Sequence, residues 1–314
     1  MKIAITGGTG FVGRHLAVTL LADGHEVVLV ARGVDRRAPS ILGRGARFVA
    51  ASTDDVDSLH RAFAGCDAVA HFAGINREIG AQTYQRVHVH GTQAVVSAAG
   101  ATGVRKIVYL SFLRARPACG SPYHESKWAA EELVRSSGID HTILKSGVIY
   151  GRGDHLLDHV SRALYTFPFF PLVGLRPTRL RPAYVGDVVR IARSALTDGR
   201  LSRRTVEVLG PEELGAGDAI RRIAAAVGRE VRVVPAPVWV HRILAWVFER
   251  TMTIPLVAAA QVRILSESVV EPLPFADPLP EDLTPPTMFS VERIRAELPP
   301  AGPFGLRDLR LFQH

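Results

Sequence analysis

Three evenly spaced glycines, Gly7, Gly10 and Gly13, separate a short apolar run from an amphipathic one. Lys2 to Thr6 (KIAIT) carries β-branched Ile3 and Ile5 and reads as a buried strand. Phe11, Val12, Leu16, Ala17, Leu20 and Leu21 fall at helical i, i+3/i+4 spacing, and Asp23-Gly24 stops that helix. Glu26 to Ala31 (EVVLVA) is a second buried strand. Strand, glycine turn, helix, strand is the first unit of a sheet that binds dinucleotides. Gly7 permits a tight turn, Gly10 lets main-chain amides approach a pyrophosphate, and Gly13 lets the helix pack closely on the sheet. The positive helix end then faces the phosphates. Gly7, Gly8, Thr9, Gly10, Phe11, Val12 and Gly13 are therefore expected to hold the diphosphate. A ligand-free glycine turn is the competing reading, and it is disfavoured because glycines in register cost conformational entropy.

The alternation continues down the chain. Strands are expected at Ala46 to Ala50, Asp67 to Phe72, Arg105 to Leu110 and Ile139 to Lys145, with helices at Val56 to Phe63, Tyr84 to Ala99 and from Pro122. This predicts an α/β fold, a doubly wound parallel sheet with helices on both faces, plus a smaller mixed α/β C-terminal lobe. Residues 1–150 form the nucleotide-binding domain, with 184–210 returning to it. Residues 151–183 and 211–314 form the interleaved lobe. Thr53 and Asp54 are placed to approach an adenine. Phe72, Ala73 and Gly74 can lie under the cofactor, and Ser146, Gly147 and Val148 open a loop able to close on its nicotinamide end. Arg32 stands where an acid would select NAD, with Arg36 and Arg37 close by, so NADP(H) is favoured over NAD(H).

Ser111 ends the fifth strand, at the edge where ligands sit in open α/β sheets. Ser121 is a candidate N-cap and Pro122 a candidate first helical residue. Tyr123 and Lys127 follow at i, i+4 on one helix face. Six tyrosines and four lysines placed at random would give about 0.08 such pairs, so the spacing carries information. A phenol titrates near pH 10. A neighbouring ammonium would lower it and make Tyr123 a proton donor.

The net charge of +8 raises nucleic acid as a partner. Only Lys2, Lys106, Lys127 and Lys145 are lysines, and the arginines are scattered rather than striped, so nucleic-acid binding is not expected. Cys66 and Cys119 make neither a disulfide framework nor a metal site. His88 and His90 are two apart, wrong for one helix face, and no metal is expected. His71 is expected to bond locally and His124 to adjoin the cleft. The N-terminus enters a strand at once, so no signal peptide is expected, and no apolar run reaches about 18 residues. A cytoplasmic protein follows. The amphipathic stretch 237–265 is read as lobe core, or as a surface for peripheral contact with a membrane complex.

TGGTGFVG, DAVAHFAG, Ser111 with Tyr123-x-x-x-Lys127, SGVIYG and RLRPAYVGDV together resemble the extended short-chain dehydrogenase/reductase superfamily. The chain looks most like its atypical group, which contains the NADPH-binding accessory subunit of respiratory complex I. The resemblance implies a Rossmann fold, a bound NAD(P)H, and Tyr123, Lys127 and Ser111 as proton donor, tuning and ribose-holding residue, and carbonyl polariser. The segment FLRARPACG departs from the sugar-nucleotide enzymes. The expected function is NADPH-dependent reduction of an apolar carbonyl or quinone-like small molecule. The alternatives are a non-catalytic NADPH-holding assembly protein and a sugar-nucleotide epimerase or dehydratase.

Overall fold

The computed structural model describes residues 1–33, 39–252, 262, 267–272, 274, 276–299 and 302–304. Arg36 and Arg37 lie outside the described residues, as does most of 253–265. The chain divides into two units. The first is 1–146, 185–208 and 271–284; the second is 147–184, 209–270 and 285–314.

The first unit is built on a seven-stranded parallel sheet. Its strands are β1 (Lys2–Thr6), β2 (Glu26–Ala31), β3 (Arg47–Ala50), β4 (Ala68–His71), β5 (Lys106–Phe112), β6 (Asp140–Ser146) and β11 (Arg204–Val208). They run in the order β11-β6-β5-β4-β1-β2-β3. β1, β4 and β5 are apolar almost throughout, as strands covered on both faces must be. One face packs on α3 (Val56–Phe63), α4 (Gly91–Ala101) and α5 (Pro122–Arg135), where Leu59, Phe63, Val95, Ala98 and Val134 meet Val69, Ile107 and Ile143. Also in this unit are α1 (Phe11–Ala22), the one-turn α2 (Pro39–Leu42) and α7 (Val185–Thr197). α1 and α7 pack together, and Arg193 of α7 pairs with Asp23 at 2.7 Å.

Local chemistry sets the helix ends. Asp55 caps α3 by accepting from Ser58 N. Gly24 leaves α1 at φ +80°, a conformation glycine adopts without penalty. Ser121 occupies the N-cap position of α5, but its hydroxyl bonds His124 Nδ1 at 2.5 Å instead of a helix amide. Glu125 reaches back instead, accepting from Cys119 N and Gly120 N. The helix expected from Tyr84 to Ala99 opens as a π turn, Gln85–His90, before α4 begins.

The second unit holds α6 (His155–Thr166), α8 (Ala216–Ala226) and α9 (Val238–Thr251), a C-terminal α10 (Val291–Glu297), and short strands. β8 (Phe169–Val173) pairs in parallel with β13 (Arg232–Ala236). The RLRPAYVGDV stretch holds two short strands, β9 (Arg179–Leu180) and β10 (Ala183–Tyr184), separated at Pro182. β9 pairs with β12 (Leu214–Gly215), and β10 with β7 (Ile149–Tyr150), which directly follows the loop expected to open at Ser146, Gly147 and Val148. The lobe expected over 211–314 is also interrupted. Residues 271–284 belong to the first unit, because Asp277 exchanges main-chain bonds with Thr205 and Glu207 along β11.

Candidate functional site

The carboxyl ends of β1, β4 and β5 carry the site. Gly7 turns out of β1 at φ +70°, and a Cβ there would lie 2.8 Å from Ala73 N. A Cβ on Gly13 would lie 2.3 Å from Gly7 O, so only glycine lets α1 close on the turn. Gly10 N–H is spent inside the turn, on Gly7 O at 2.9 Å, so it is not one of the amides offered outward. Among the described residues no side chain caps α1. Its first-turn amides, at Phe11 and Val12, are therefore unclaimed by side chains and suit an anion. A glycine cradle against an uncapped helix start fits a dinucleotide diphosphate. Gly8 is buried on Leu29, and Thr9 lies between Gly8 and the cap residue.

Phe72 N donates to Thr6 O, carrying the β4 chain past Gly7 into Ala73 and Gly74. A Cβ on Gly74 would sit 3.5 Å from both His88 Nε2 and Lys127 Nζ. Lys127 is therefore beside the β4 turn. Its Nζ donates to Leu110 O at 2.8 Å and Tyr109 Oη at 3.3 Å, and lies over the Tyr109 ring. Burial lowers its pKa to about 8, against the opposing pull of Glu131.

Tyr123 is ringed by Tyr84, His88, Phe112 and His124, with centroids 5.4–5.7 Å away. Burial first, then Tyr84, raises its pKa well above the ordinary phenol value. This corrects the expectation that Lys127 lowers it: the ammonium is turned to Leu110 and Tyr109. Among the described residues Tyr123 Oη forms no hydrogen bond.

Ser111 is not directed at Tyr123. Its hydroxyl donates to Glu131 Oε1 at 2.5 Å, in a buried cluster where Lys145 Nζ pairs with the same oxygen at 3.0 Å and Arg135 with Oε2 at 2.6 Å. Thr53 packs against Gly91, where a Cβ would come within 2.7 Å of its Oγ1. Asp54 is held by Ser52 and by Arg86 at 2.6 Å; the Ser52 bond first, then the Arg86 bond, keeps its carboxyl below the usual range. Arg32 is exposed directly after β2. Ser146 is buried at the end of β6, its hydroxyl on Val208 O at 3.4 Å, while Gly147 and Val148 begin the second unit.

A polar ladder crosses the sheet edge that sequence reasoning did not assemble. Thr6 Oγ1 donates to His71 Nδ1 at 2.6 Å, His71 Nε2 meets Thr92 Oγ1 at 2.9 Å, and Thr92 donates to His88 O. Burial, with Lys127 adding to it, pushes the pKa of His71 down to about 3. The available signal was spacing: Tyr84, His88 and Thr92 recur every four residues, on one helix face.

Over residues 7–159 the chain matches the family described as NAD(P)H-binding. The relatives include a respiratory complex I subunit, and the fold is shared with solved epimerase structures. NADH dehydrogenase (ubiquinone) 1 alpha subcomplex subunit 9 of Mus musculus is 26% identical over 299 residues, 93% of this chain and 79% of that one. Ceramide reductase of Caulobacter vibrioides is 36% identical over 153 residues, 48% of this chain and 47% of that one. The NAD complex of UDP-glucose 4-epimerase from Thermus thermophilus superposes with a TM-score of 0.69 at 22% identity, covering 94% of this chain and 97% of that one. The chain spans about a quarter of the length of the mycobacterial relatives it matches. No helix among the described residues is long and apolar enough to cross a membrane.

Proposed function

We propose that the protein is an NADPH-dependent reductase of an apolar carbonyl or quinone-like small molecule, with Tyr123 as proton donor. The observation that carries this reading is a buried Tyr123 on the same helix as Lys127, whose Nζ lies beside the β4 turn. Burial holds the phenol in the form that a reduction consumes. An alkoxide left by hydride delivery is a stronger base than even a buried phenolate, so the proton moves downhill to it. The bound nicotinamide would supply the hydride. Phe11, Val12 and the Gly7–Gly13 turn would hold its diphosphate, and Lys127 its ribose. The rings of Tyr84 and Phe112 around Tyr123 support an apolar substrate, as does the reductase relative. Arg32 supports a 2′-phosphate, and tighter binding of NADH than of NADPH would refute that preference. Tyr123→Phe should cut turnover of a model carbonyl by about 10²–10⁴-fold with NADPH affinity kept; unchanged turnover rejects the mechanism.

A second reading is a nucleotide-holding subunit that does not turn over. The burial of Ser111 against Glu131 favours it, because the third member of the catalytic set is engaged elsewhere. The mouse relative is by name a complex subunit, and α9 exposes Trp239, Ile243 and Trp246 on one face, a surface suited to a membrane-complex partner. This reading requires purified protein to carry stoichiometric NADPH that no carbonyl or quinone substrate oxidises. Oxidation of that NADPH at catalytic rates would exclude it.

A further inference from the structure

His88 sits in the π turn Gln85–His90 and is 1% exposed. Its ring bonds two separate elements. Ile75 N–H donates to Nε2 at 3.1 Å, and Nδ1 lies 2.9 Å from Ser126 Oγ on α5. A nitrogen that accepts from an amide carries no proton itself. The neutral ring therefore keeps its proton on Nδ1 and donates it to Ser126. Ser126 Oγ in turn donates to Tyr123 O at 3.0 Å. The ring stacks on Tyr84 and meets Tyr123 edge-on at 5.7 Å. The groups facing it are Lys127, His71, Tyr84 and Tyr123. Burial and then Lys127 hold it uncharged. π turns recur where a side chain must be aimed at a functional site.

We propose that His88 is a positioning residue that clips the Gly74–Ile75 turn to the helix carrying Tyr123 and Lys127. It thereby sets the spacing between the cofactor-facing turn and the proton donor. The rigid ring supplies an acceptor to one element and a donor to the other, so neither contact moves without the other. The kinetic consequence rests on the reductase reading; the structural one does not.

The structural test is ¹⁵N-resolved imidazole NMR of the full chain, with the His88 signal identified by its absence in His88→Gln. The expected spectrum shows a ring protonated on Nδ1 that does not titrate between about pH 5.5 and 8. A ring protonated on Nε2, or titrating near its ordinary value, overturns the proposal. Hydrogen exchange at the Ile75 amide should accelerate at least tenfold in His88→Phe, which keeps the packing and loses both bonds; unchanged exchange also overturns it. If the protein turns over, His88→Phe should lower kcat by roughly 100-fold with the KM for NADPH within a few-fold. His88→Gln should recover part of that loss. A kcat within twofold of the parent in His88→Phe ends the positioning role even if the tautomer is as expected.

Discussion

Lys127 and Gly13 show how much one position can decide. Lys127 is nearly dry, and burial lowers its pKa to about 8 from an ordinary value near 10.5. It is therefore charged at neutral pH and loses its proton through pH 8. If its ammonium holds the nicotinamide ribose, NADPH affinity should weaken as pH rises from 7 to 9.5. Lys127→Met should bind more weakly at pH 7 and lose most of that dependence. Titration by fluorescence of the bound nucleotide decides it; a parallel pH profile in the variant removes Lys127 from the cofactor site. At Gly13 a methyl would lie 2.3 Å from Gly7 O, a main-chain atom that cannot rotate away. Gly13→Ala should lose at least tenfold in NADPH affinity and about 1–3 kcal/mol of stability through overpacking. Retained affinity in a folded variant would show that the turn is not the diphosphate site.

At the scale of elements, the Ser111–Glu131–Lys145 cluster joins β5, α5 and β6. Glu131 is fully buried, and it receives Ser111, Lys145 and Arg135. Glu131→Gln would leave the Lys145 ammonium buried without its counter-charge. A loss of about 3–5 kcal/mol in urea unfolding is expected, the usual size for breaking a buried pair. A loss below 1 kcal/mol would mean the cluster is hydrated. The sequence presented Ser111 as a strand-end residue and Glu131 as one acid in an amphipathic helix. Nothing in their spacing paired them, because the partners lie 20 residues apart on different elements. The order of strands and helices through residue 145 was legible, since each depends on local periodicity and turn chemistry. The split at Pro182 and the pairing of β8 with β13 depend on which segments meet, and local pattern does not encode that.

Across the whole molecule, the buried histidines couple stability to acid. His71 has its pKa pushed to about 3, and an unfolded histidine titrates near 6.5. Between those values the unfolded chain binds a proton that the folded chain refuses. Stability is then fully present above pH 6.5 and falls as pH drops toward 3, by about 1.4 kcal/mol per unit for each such group. His88, lowered by the same burial, adds to the slope in this window. Urea unfolding at pH 7, 6 and 5 should show the fall, and His71→Gln should make it shallower by about one proton; an equal slope in that variant places the acid sensitivity elsewhere. By itself the sequence determined the glycine turn, the parallel α/β class and the shared face of Tyr123 and Lys127, because periods of 2 and 3.6 and the demands of a positive φ act within a few residues. Only the tertiary structure decided where the polar side chains spend their hydrogen bonds. It turned Lys127 to Leu110, gave Ser111 to Glu131, set His88 between Ile75 and Ser126, and returned residues 271–284 to the edge of the sheet. Most of those partners lie far apart in the chain, and burial, not proximity in sequence, forces each donor to find an acceptor.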